Sequence, residues 1–290
     1  MQPDSPVRVV ETRAALRAAV AELRADGAEI GFVPTMGALH EGHLSLVRIA
    51  KERGARAVAS IFVNPAQFAA HEDLDNYPRT LPGDLAALAD LGCDLVYVPS
   101  AVEMYPEGFA TSVAMRGVAA GLESEARPHF FGGVATVVLK LLNQVRPDFA
   151  VFGEKDYQQL LVVRQLVRDF DLGIEIVGGP TAREADGLAM SSRNVKLSPE
   201  GRDVAGKING VLAFMVERLE AGESVESALA FAVDALSMAG VDAIDYVEVR
   251  CAETLEPLDP GPLDREARVL AAVRVGGVRL IDNMGATPAE

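Results

Sequence analysis

The chain has 290 residues, of which 49% are hydrophobic and 24% charged, and its formal net charge is −15. At this length two domains are the better expectation, and the composition is that of a globular protein, which excludes collagen-like and disordered classes. An acidic surface repels nucleic acid and anionic membranes, so neither is expected as a partner, although a few cations in a cleft can still bind a small anion.

The N-terminal stretch and the cysteines bear on the compartment. Charged residues are scattered through "MQPDSPVRVVETRAALRAAV", so we expect neither a signal peptide nor a membrane span. Cys93 and Cys251 stand alone, which fits neither a disulfide framework nor a zinc site. These features predict a cytoplasmic protein.

Helical and strand-like patterns alternate in the first part of the chain. The predicted helices are "ETRAALRAAVAELRADG", "HLSLVRIAKERG", "GDLAALADLG", "GVATVVLKLLNQV" and "YQQLLVVRQLVRDF". The predicted strands between them are "EIGFVP", "ARAVASIFVNP", "CDLVYVPS", "PDFAVFGEKD" and "IEIVGGP". Such alternation predicts right-handed βαβ crossovers, so residues 1–180 are expected to form a Rossmann-like, doubly wound parallel sheet.

The pattern changes after residue 180. Two Ala-rich helices are predicted near residues 198–220 and 224–239, followed by strands "DAIDYVEVR", "ARVLAAVRVGG" and "VRLIDNM". Gly276-Gly277 predicts a tight hairpin turn. The fold class is therefore α/β, with residues 181–290 forming a smaller α+β C-terminal domain.

Two of the four histidines, His40 and His43, lie close together in "GFVPTMGALHEGH", directly after a predicted strand. Ligands of open α/β sheets bind beyond the carboxyl ends of the strands, where the N-terminus of the next helix attracts phosphate. Gly37 and Gly42 would let the backbone approach a ligand, and two imidazole donors could stabilise a polyphosphate. The same pair could instead bind a metal or simply pack. A zincin helix has one more residue between its histidines, and the sequence marks no third ligand.

"HEGH" resembles the H-x-G-H signature of nucleotidylyltransferases and class I synthetases. It is followed, in order, by "SIFVNPAQF", "DNYPRT", "VVLKLLNQVRPD", "FGEKDYQQL" and "ADGLAMSSRN". Over essentially the whole chain this set is similar to the pantoate–β-alanine ligase, or pantothenate synthetase, family. The resemblance implies an enzyme that turns (R)-pantoate and ATP into pantoyl adenylate and pyrophosphate, then joins the acyl group to β-alanine and releases AMP. It also implies Mg²⁺ and a homodimer.

The resemblance implies roles for individual residues. His40, His43 and Lys155 would be catalytic, and Asp84 would be a ligand of Mg²⁺. Pantoate and β-alanine would contact Gln67, Gln159, Asn64 and Tyr77. The nucleotide would contact Met36, Gly37, Ala38, Leu39, His40, Glu41, Gly42, His43, Gly153, Glu154, Lys155, Asp156, Ala182, Met190, Ser191, Ser192 and Arg193. From composition alone, "SSR" would be a polar interdomain linker and Gln67 a capped loop residue.

Two segments depart from the family pattern. Many members have R-P-G-H-F-R-G-V where this chain has "RPHFFGGV", so Arg127 aligns but His129 comes one position early and Gly132 replaces an arginine. No role is carried over to His129. The acidic pair expected after "YPRT" is reduced to Asp84 by Gly83.

Three other functions compete with this interpretation. A nucleotidylyltransferase would need a basic pocket for an acceptor phosphate, whereas "NPAQF" and "DYQQL" offer amides. A nucleotide-binding regulatory module without catalysis would not need His40, His43 and Lys155 together. A metalloprotein would be recognised by metal analysis of the purified chain.

Overall fold

The computed structural model describes residues 7–68 and 78–289. The chain divides into two compact units. The first comprises Met1–Glu154 and Val162–Pro180, and the second comprises Lys155–Leu161 and Thr181–Glu290. The short segment Lys155–Leu161 therefore groups with the C-terminal part of the chain, although it precedes residue 180.

A parallel sheet organises the first unit. Its strands are β1 (Val9–Val10), β2 (Ile30–Thr35), β3 (Arg56–Ile61), β4 (Leu95–Tyr97), β5 (Phe149–Gly153) and β6 (Glu175–Gly179), in the spatial order β1-β4-β3-β2-β5-β6. The helices that alternate with them are α1 (Arg13–Leu23), α2 (Glu41–Glu52), α3 (Leu81–Asp90), α4 (Ala101–Met104), α5 (Glu123–Ala126), α6 (Phe130–Val145) and α7 (Tyr157–Asp169). The predicted Rossmann-like sheet is confirmed. Strand β1 and helices α4 and α5 were not predicted, because elements this short show no measurable periodicity.

The apolar runs of the central strands are buried because both faces of a parallel sheet are covered. Phe32 and Val33 on β2 and Val58 on β3 have no exposed surface. Helix α2 contributes Leu46 and Val47 to the core cluster that contains Val33. This packing fixes the direction of α2 and places its N-terminus beyond the end of β2.

The strand order reverses at β2. Strands β3 and β4 continue to one side of β2, whereas β5 and β6 lie on the other. Strands β2 and β5 pair only at Gly31 with Phe149 and at Phe32 with Ala150, although both continue for several residues. A crevice at such a reversal is the usual ligand site of an open α/β sheet.

Pro34 contributes to the separation of β2 and β5. Backbone groups of a parallel strand point alternately to its two neighbours, and the carbonyl of Ile30 accepts the N–H of Asp148, 3.0 Å away beside β5. Residue 34, four positions on, therefore faces β5 as well. Proline has no N–H to donate there, so pairing cannot continue to the ends of the two strands.

The second unit joins helices to an antiparallel sheet. Its helices are α8 (Pro199–Ala205), α9 (Lys207–Glu220) and α10 (Val225–Ala239), and its strands are β7 (Ala243–Cys251), β8 (Ala267–Val275) and β9 (Val278–Ala286), in that spatial order. Gly276 and Gly277 have φ of 58° and 76° and form the predicted hairpin turn between β8 and β9. Across residues 7–68 and 78–289, no helix has the length and apolar character needed to cross a membrane.

One predicted helix of the second unit is interrupted. The segment expected to be a single helix over 198–220 forms α8 and α9, which meet at Gly206. A Cβ at Gly206 would lie 2.5 Å from a carboxylate oxygen of Asp186. Arg202 of α8 holds that carboxylate in place with a bond of 2.9 Å from Nη2. The close approach of Asp186 therefore leaves no room for a Cβ at the junction unless that carboxylate moves.

Candidate active site

His40 and His43 are held side by side at the N-terminus of α2. His40 is the N-cap residue, with φ −132° and ψ 175°, and its Nδ1 accepts the N–H of Gly42 at 3.2 Å. The Nδ1 of His43 accepts the N–H of His40 at 3.4 Å. The two ring centroids are 4.2 Å apart. This reciprocal capping fixes both rings relative to the helix end.

The hydrogen bonds of the two rings determine their tautomers. An imidazole nitrogen that accepts an N–H carries no proton, so each neutral ring has its proton on Nε2. Both Nε2 atoms are then hydrogen-bond donors. Two such donors beside the positive end of a twelve-residue helix suit an anion.

A buried carboxylate holds the loop between β2 and α2. Gly37 and Ala38 have φ of 82° and 51°, which turn the chain towards the helix. Asp84 of α3 accepts the N–H of Ala38 on Oδ2 at 3.0 Å and that of Leu39 on Oδ1 at 2.9 Å. The hydroxyl of Thr80 donates to Oδ1 at 3.1 Å. Ala38 and Leu39, two of the residues predicted to contact the nucleotide, thus donate their N–H groups to Asp84.

This geometry gives Asp84 a structural role that the sequence analysis did not predict. The residue is 4% exposed, and both of its carboxylate oxygens already accept hydrogen bonds. Mg²⁺ needs an octahedral shell and usually keeps several waters, so a buried carboxylate bound to backbone donors does not suit it. Among residues 7–68 and 78–289, no group of three or more His, Cys, Asp and Glu side chains could hold a metal ion. The assignment of Mg²⁺ to Asp84 stays a prediction.

The segment after β3 is fixed by a buried amide. Asn64 donates from Nδ2 to the carbonyl of Gly133 at 3.2 Å and accepts the hydroxyl of Tyr105 on Oδ1 at 2.7 Å. Burial raises the pKa of Tyr105 to about 12, so its hydroxyl stays a donor. The Nη2 of Arg127 donates to the backbone carbonyl of Gln67 at 3.2 Å. Asn64 and Arg127 thus position the turn that carries Gln67.

Gly133, which directly follows the residues that depart from the family pattern, lies against the same turn. A Cβ at Gly133 would lie 2.1 Å from the carbonyl oxygen of Ala66, and one at Gly132 would lie 3.3 Å from that of Val113. The start of α6 can therefore approach the 65–67 turn only with glycine at position 133. His129 is exposed and precedes α6.

Three of the residues predicted to contact the nucleotide line one concave surface in the second unit. It is lined by Lys155, Ser191, Arg193, Arg279, Asp282, Leu188, Ala189, Ile208, Leu280 and Ile281. Cationic side chains outnumber carboxylates there, although the whole chain has a net charge of −15. This local excess of positive charge suits a phosphate group.

The "MSSR" segment is held within the second unit at both ends. The N–H of Met190 donates to the carbonyl of Ala182 at 2.9 Å. Asn194 donates from Nδ2 to Glu184 at 2.8 Å and to the carbonyl of Ala189 at 3.1 Å. Hydrogen bonds at both of its ends therefore hold this segment as a turn, which does not fit a flexible interdomain linker.

The remaining predicted residues lie in several settings. Glu41 pairs with Arg48 along α2, at 3.0 Å between Nη2 and Oε2. Gly153 ends β5 and Glu154 begins a 3₁₀ turn, both at the carboxyl edge of the parallel sheet. Asp156 has a half-exposed side chain whose Oδ1 lies 3.7 Å from the Nζ of Lys155.

Gln159, a predicted substrate contact, lies on α7 and is partly buried. Met36 precedes the loop held by Asp84. Ser192 lies in the hydrogen-bonded turn formed by the "MSSR" segment. Tyr77 and His71 are outside the described residues.

Comparison with known proteins decides the family. A sequence model described as pantoate-beta-alanine ligase matches residues 8–285. The chain belongs to the pantoate–β-alanine ligase family. Members of this family are ligases, which favours a ligase over the nucleotidylyltransferase, the regulatory module and the metalloprotein.

Relatives of this ligase family match nearly the whole chain. The pantothenate synthetase of Maricaulis maris is 58% identical over 277 residues and 96% of each chain is covered. A Thermus thermophilus pantothenate synthetase structure is 48% identical, with a TM-score of 0.91 over 97% of this chain and 100% of that one. The Francisella tularensis ligase, complexed with beta-gamma ATP and beta-alanine, is 34% identical, with a TM-score of 0.79 over 96% and 97% of the two chains.

Proposed function

We propose that this ligase condenses (R)-pantoate with β-alanine in an ATP-dependent reaction that passes through pantoyl adenylate. The observation that carries the proposal is the capped histidine pair at the N-terminus of α2, which directly follows β2, the strand at which the order of the parallel sheet reverses. The Francisella tularensis ligase is complexed with beta-gamma ATP and beta-alanine, which supports ATP and β-alanine as ligands here.

In the first step, a carboxylate oxygen of pantoate attacks the α-phosphorus of ATP, and the bond from that phosphorus to pyrophosphate breaks. Negative charge grows on the phosphate oxygens in the transition state. We assign its stabilisation to the Nε2–H groups of His40 and His43, because fixed donors need no reorganisation when that charge appears. His43 is the residue that we propose to protonate the leaving pyrophosphate.

The second unit contributes cations to phosphate binding in this proposal. Lys155, Ser191 and Arg193 line one concave surface, and we assign them to nucleotide phosphates together with Ser192. Lys155 would act on the charge that develops during adenylation. A carboxylate and a triphosphate repel each other, so an acidic protein needs such a local concentration of cations to gather both.

In the second step, the amine of β-alanine attacks the acyl carbon of pantoyl adenylate, and the bond to AMP breaks. We assign Gln67, Gln159 and Tyr77 to pantoate and β-alanine, with Asn64 supporting the turn that carries Gln67. A dry pocket would protect the adenylate from water.

Mg²⁺ and dimerisation are parts of the same proposal. Mg²⁺ is expected to come with the phosphates of ATP and to keep most of its water ligands, which requires no dedicated cage of carboxylates. The homodimer rests on the resemblance to the family, and sedimentation velocity of the purified chain would test it. A monomer at micromolar concentration would contradict it.

The decisive experiment separates the two steps. The protein is incubated with ATP and Mg²⁺, with pantoate and β-alanine added singly and together, while pyrophosphate and AMP are followed. Pyrophosphate release with pantoate alone, then AMP and pantothenate after β-alanine, would support the two-step ligase. Turnover that does not depend on pantoate would overturn the proposal.

A further inference from the structure

The antiparallel sheet of the second unit has two different faces. Its core face packs against α9 and α10 through alternate residues of β8, among them Val269 and Ala271. Arg268 lies on the other face, with its guanidinium 4.0 Å from the ring centroid of Tyr157. The hydroxyl of Tyr157 donates to the carbonyl of Ala252 at 2.9 Å. The segment Lys155–Leu161 is therefore attached to the face opposite the helices.

Asn283 on β9 contacts the main chain of Lys155. Asn283 pairs with Leu270 in the sheet, so its side chain shares the face of Arg268. Its Nδ2 donates to the backbone carbonyl of Lys155 at 2.8 Å, and its Oδ1 accepts the Nε of Arg268 at 2.6 Å. Arginine can only donate, so this bond fixes which end of the amide points to Lys155.

The neighbouring residue on β9 ties the same strand to the turn before "MSSR". Asp282 is buried and accepts two hydrogen bonds from Arg183, at 2.7 Å from Nη1 and 2.9 Å from Nη2. Arg183 also donates to the carbonyl of Gly187 at 3.0 Å. The backbone N–H of Asn283 donates to Asp282 at 2.8 Å. Asp282 and Asn283 therefore hold the turn at residues 183–187, which precedes lining residues of the concave surface, and the main chain of Lys155, which lines it.

We propose that Asn283 is a positioning residue for Lys155. A lysine side chain is a point charge on a flexible four-carbon stem, so its placement depends on how firmly its main chain is held. Asn283 holds that main chain through a carbonyl and would leave the ammonium to act on the phosphates. The inference rests on the proposed function, because it takes Lys155 as the residue that stabilises adenylation.

The burial of Asn283 supports a positioning role over simple packing. The residue is 4% exposed in a strand whose other buried members include Leu280 and Val278. A buried amide is costly unless its polar atoms are paired. The hydrogen bonds that the Asn283 side chain makes with Lys155 and Arg268 explain why an amide is buried here, whereas packing alone does not.

The test uses the full chain and follows each step of the reaction separately. Asn283→Ala removes the amide, and Asn283→Asp keeps the volume and the acceptor for Arg268 but loses the donor to Lys155. We expect kcat for pantoate-dependent pyrophosphate release to fall about tenfold to a hundredfold, as for other small misplacements of catalytic groups. KM for pantoate and the reaction of supplied pantoyl adenylate with β-alanine should change by less than about twofold. Asn143→Ala, which removes an exposed amide on α6, is the matched control.

A double-substitution cycle distinguishes positioning from general damage. In a Lys155→Ala background, Asn283→Asp should cost almost nothing further, because residues that act as a unit are not additive. Full kcat in both Asn283 variants would overturn the inference, as would an equal loss in the Lys155→Ala background or equal slowing of both steps. If Asn283→Ala does not fold, the kcat of Asn283→Asp for pyrophosphate release decides whether the inference holds. A wild-type chain without pantoate-dependent pyrophosphate release would instead refute the proposed function itself.

Discussion

At the scale of single residues, the chemistry of the first unit depends on which nitrogen of each imidazole carries the proton. The backbone N–H groups of Gly42 and His40 occupy the two Nδ1 atoms, which leaves Nε2 as the donor on both rings. Sequence spacing predicted the proximity of His40 and His43. It could not predict the tautomers, because these depend on backbone bonds at a helix cap.

Isosteric substitutions of His43 test this assignment. His43→Asn keeps an acceptor near the place of Nδ1 but has no group at Nε2, so we expect adenylation to slow about a hundredfold or more. His43→Gln places an amide N–H near Nε2 and should retain part of the rate. Single-turnover pyrophosphate release measures both, with thermal unfolding as the check on folding. A His43→Asn variant as fast as wild type would contradict the assignment.

Asp84 offers a second test at the residue scale. Asp84→Asn replaces one acceptor of the loop N–H groups with a donor, so we expect a loss of about 1–3 kcal/mol of stability and a higher KM for ATP. If the carboxylate holds the loop, the Mg²⁺ concentration for half-maximal activity should stay unchanged. A metal ligand would raise that concentration severalfold. Asp90→Asn, an exposed change on the same helix, is the control.

At the scale of elements, the close packing of α6 on the 65–67 turn supports the residues proposed to bind pantoate. Gly133→Ala would bring a methyl group 2.1 Å from the carbonyl oxygen of Ala66. We expect a loss of about 1–3 kcal/mol and a higher KM for pantoate, because the turn carrying Gln67 must move. Gly210→Ala in α9 meets open space and should stabilise the chain by about 0.5–1 kcal/mol. Equal effects of the two substitutions on KM would contradict this account.

A cluster of charges joins the turn before "MSSR" to α8. A hydrogen bond from Asn194, then one from Arg202, lowers the pKa of Glu184, and a hydrogen bond from Arg202 lowers the pKa of Asp186. A carboxylate with a lowered pKa in the folded state contributes stability above its unfolded pKa of about 4, and that contribution is lost as the pH falls through the folded value.

Arg202→Met tests this pH dependence. We expect the variant to be less stable than wild type at neutral pH and the difference to shrink as the pH falls below about 4, towards the lowered pKa values of Glu184 and Asp186 in the folded wild type. Denaturant unfolding at a series of pH values measures it. Arg17→Met, an exposed arginine of α1, removes the same charge elsewhere. A difference between Arg202→Met and wild type that does not change with pH would refute the prediction.

At the scale of the whole molecule, net charge and local charge have opposite signs. The chain carries −15, yet Lys155, Arg193 and Arg279 share one concave surface of the second unit. Total charge argues against nucleic acid as a partner class in the absence of a basic face. Total charge could not show that these three cationic side chains share one surface, because residues 155, 193 and 279 come together only through folding.

The sequence by itself determined the fold class, the Gly276-Gly277 hairpin, and a family resemblance that the comparison confirmed. Each depends on local patterns such as hydrophobic period, turn residues and contiguous motifs. Tertiary structure alone decided that Asp84 holds a loop 45 residues away and that Asn283 holds the carbonyl of Lys155 across 128 residues. The polar "DN" inside the apolar strand "VRLIDNM" was the one local sign of the second contact. Hydrogen bonds between distant segments leave no periodicity in the chain, so their partners become known only when the backbone is placed.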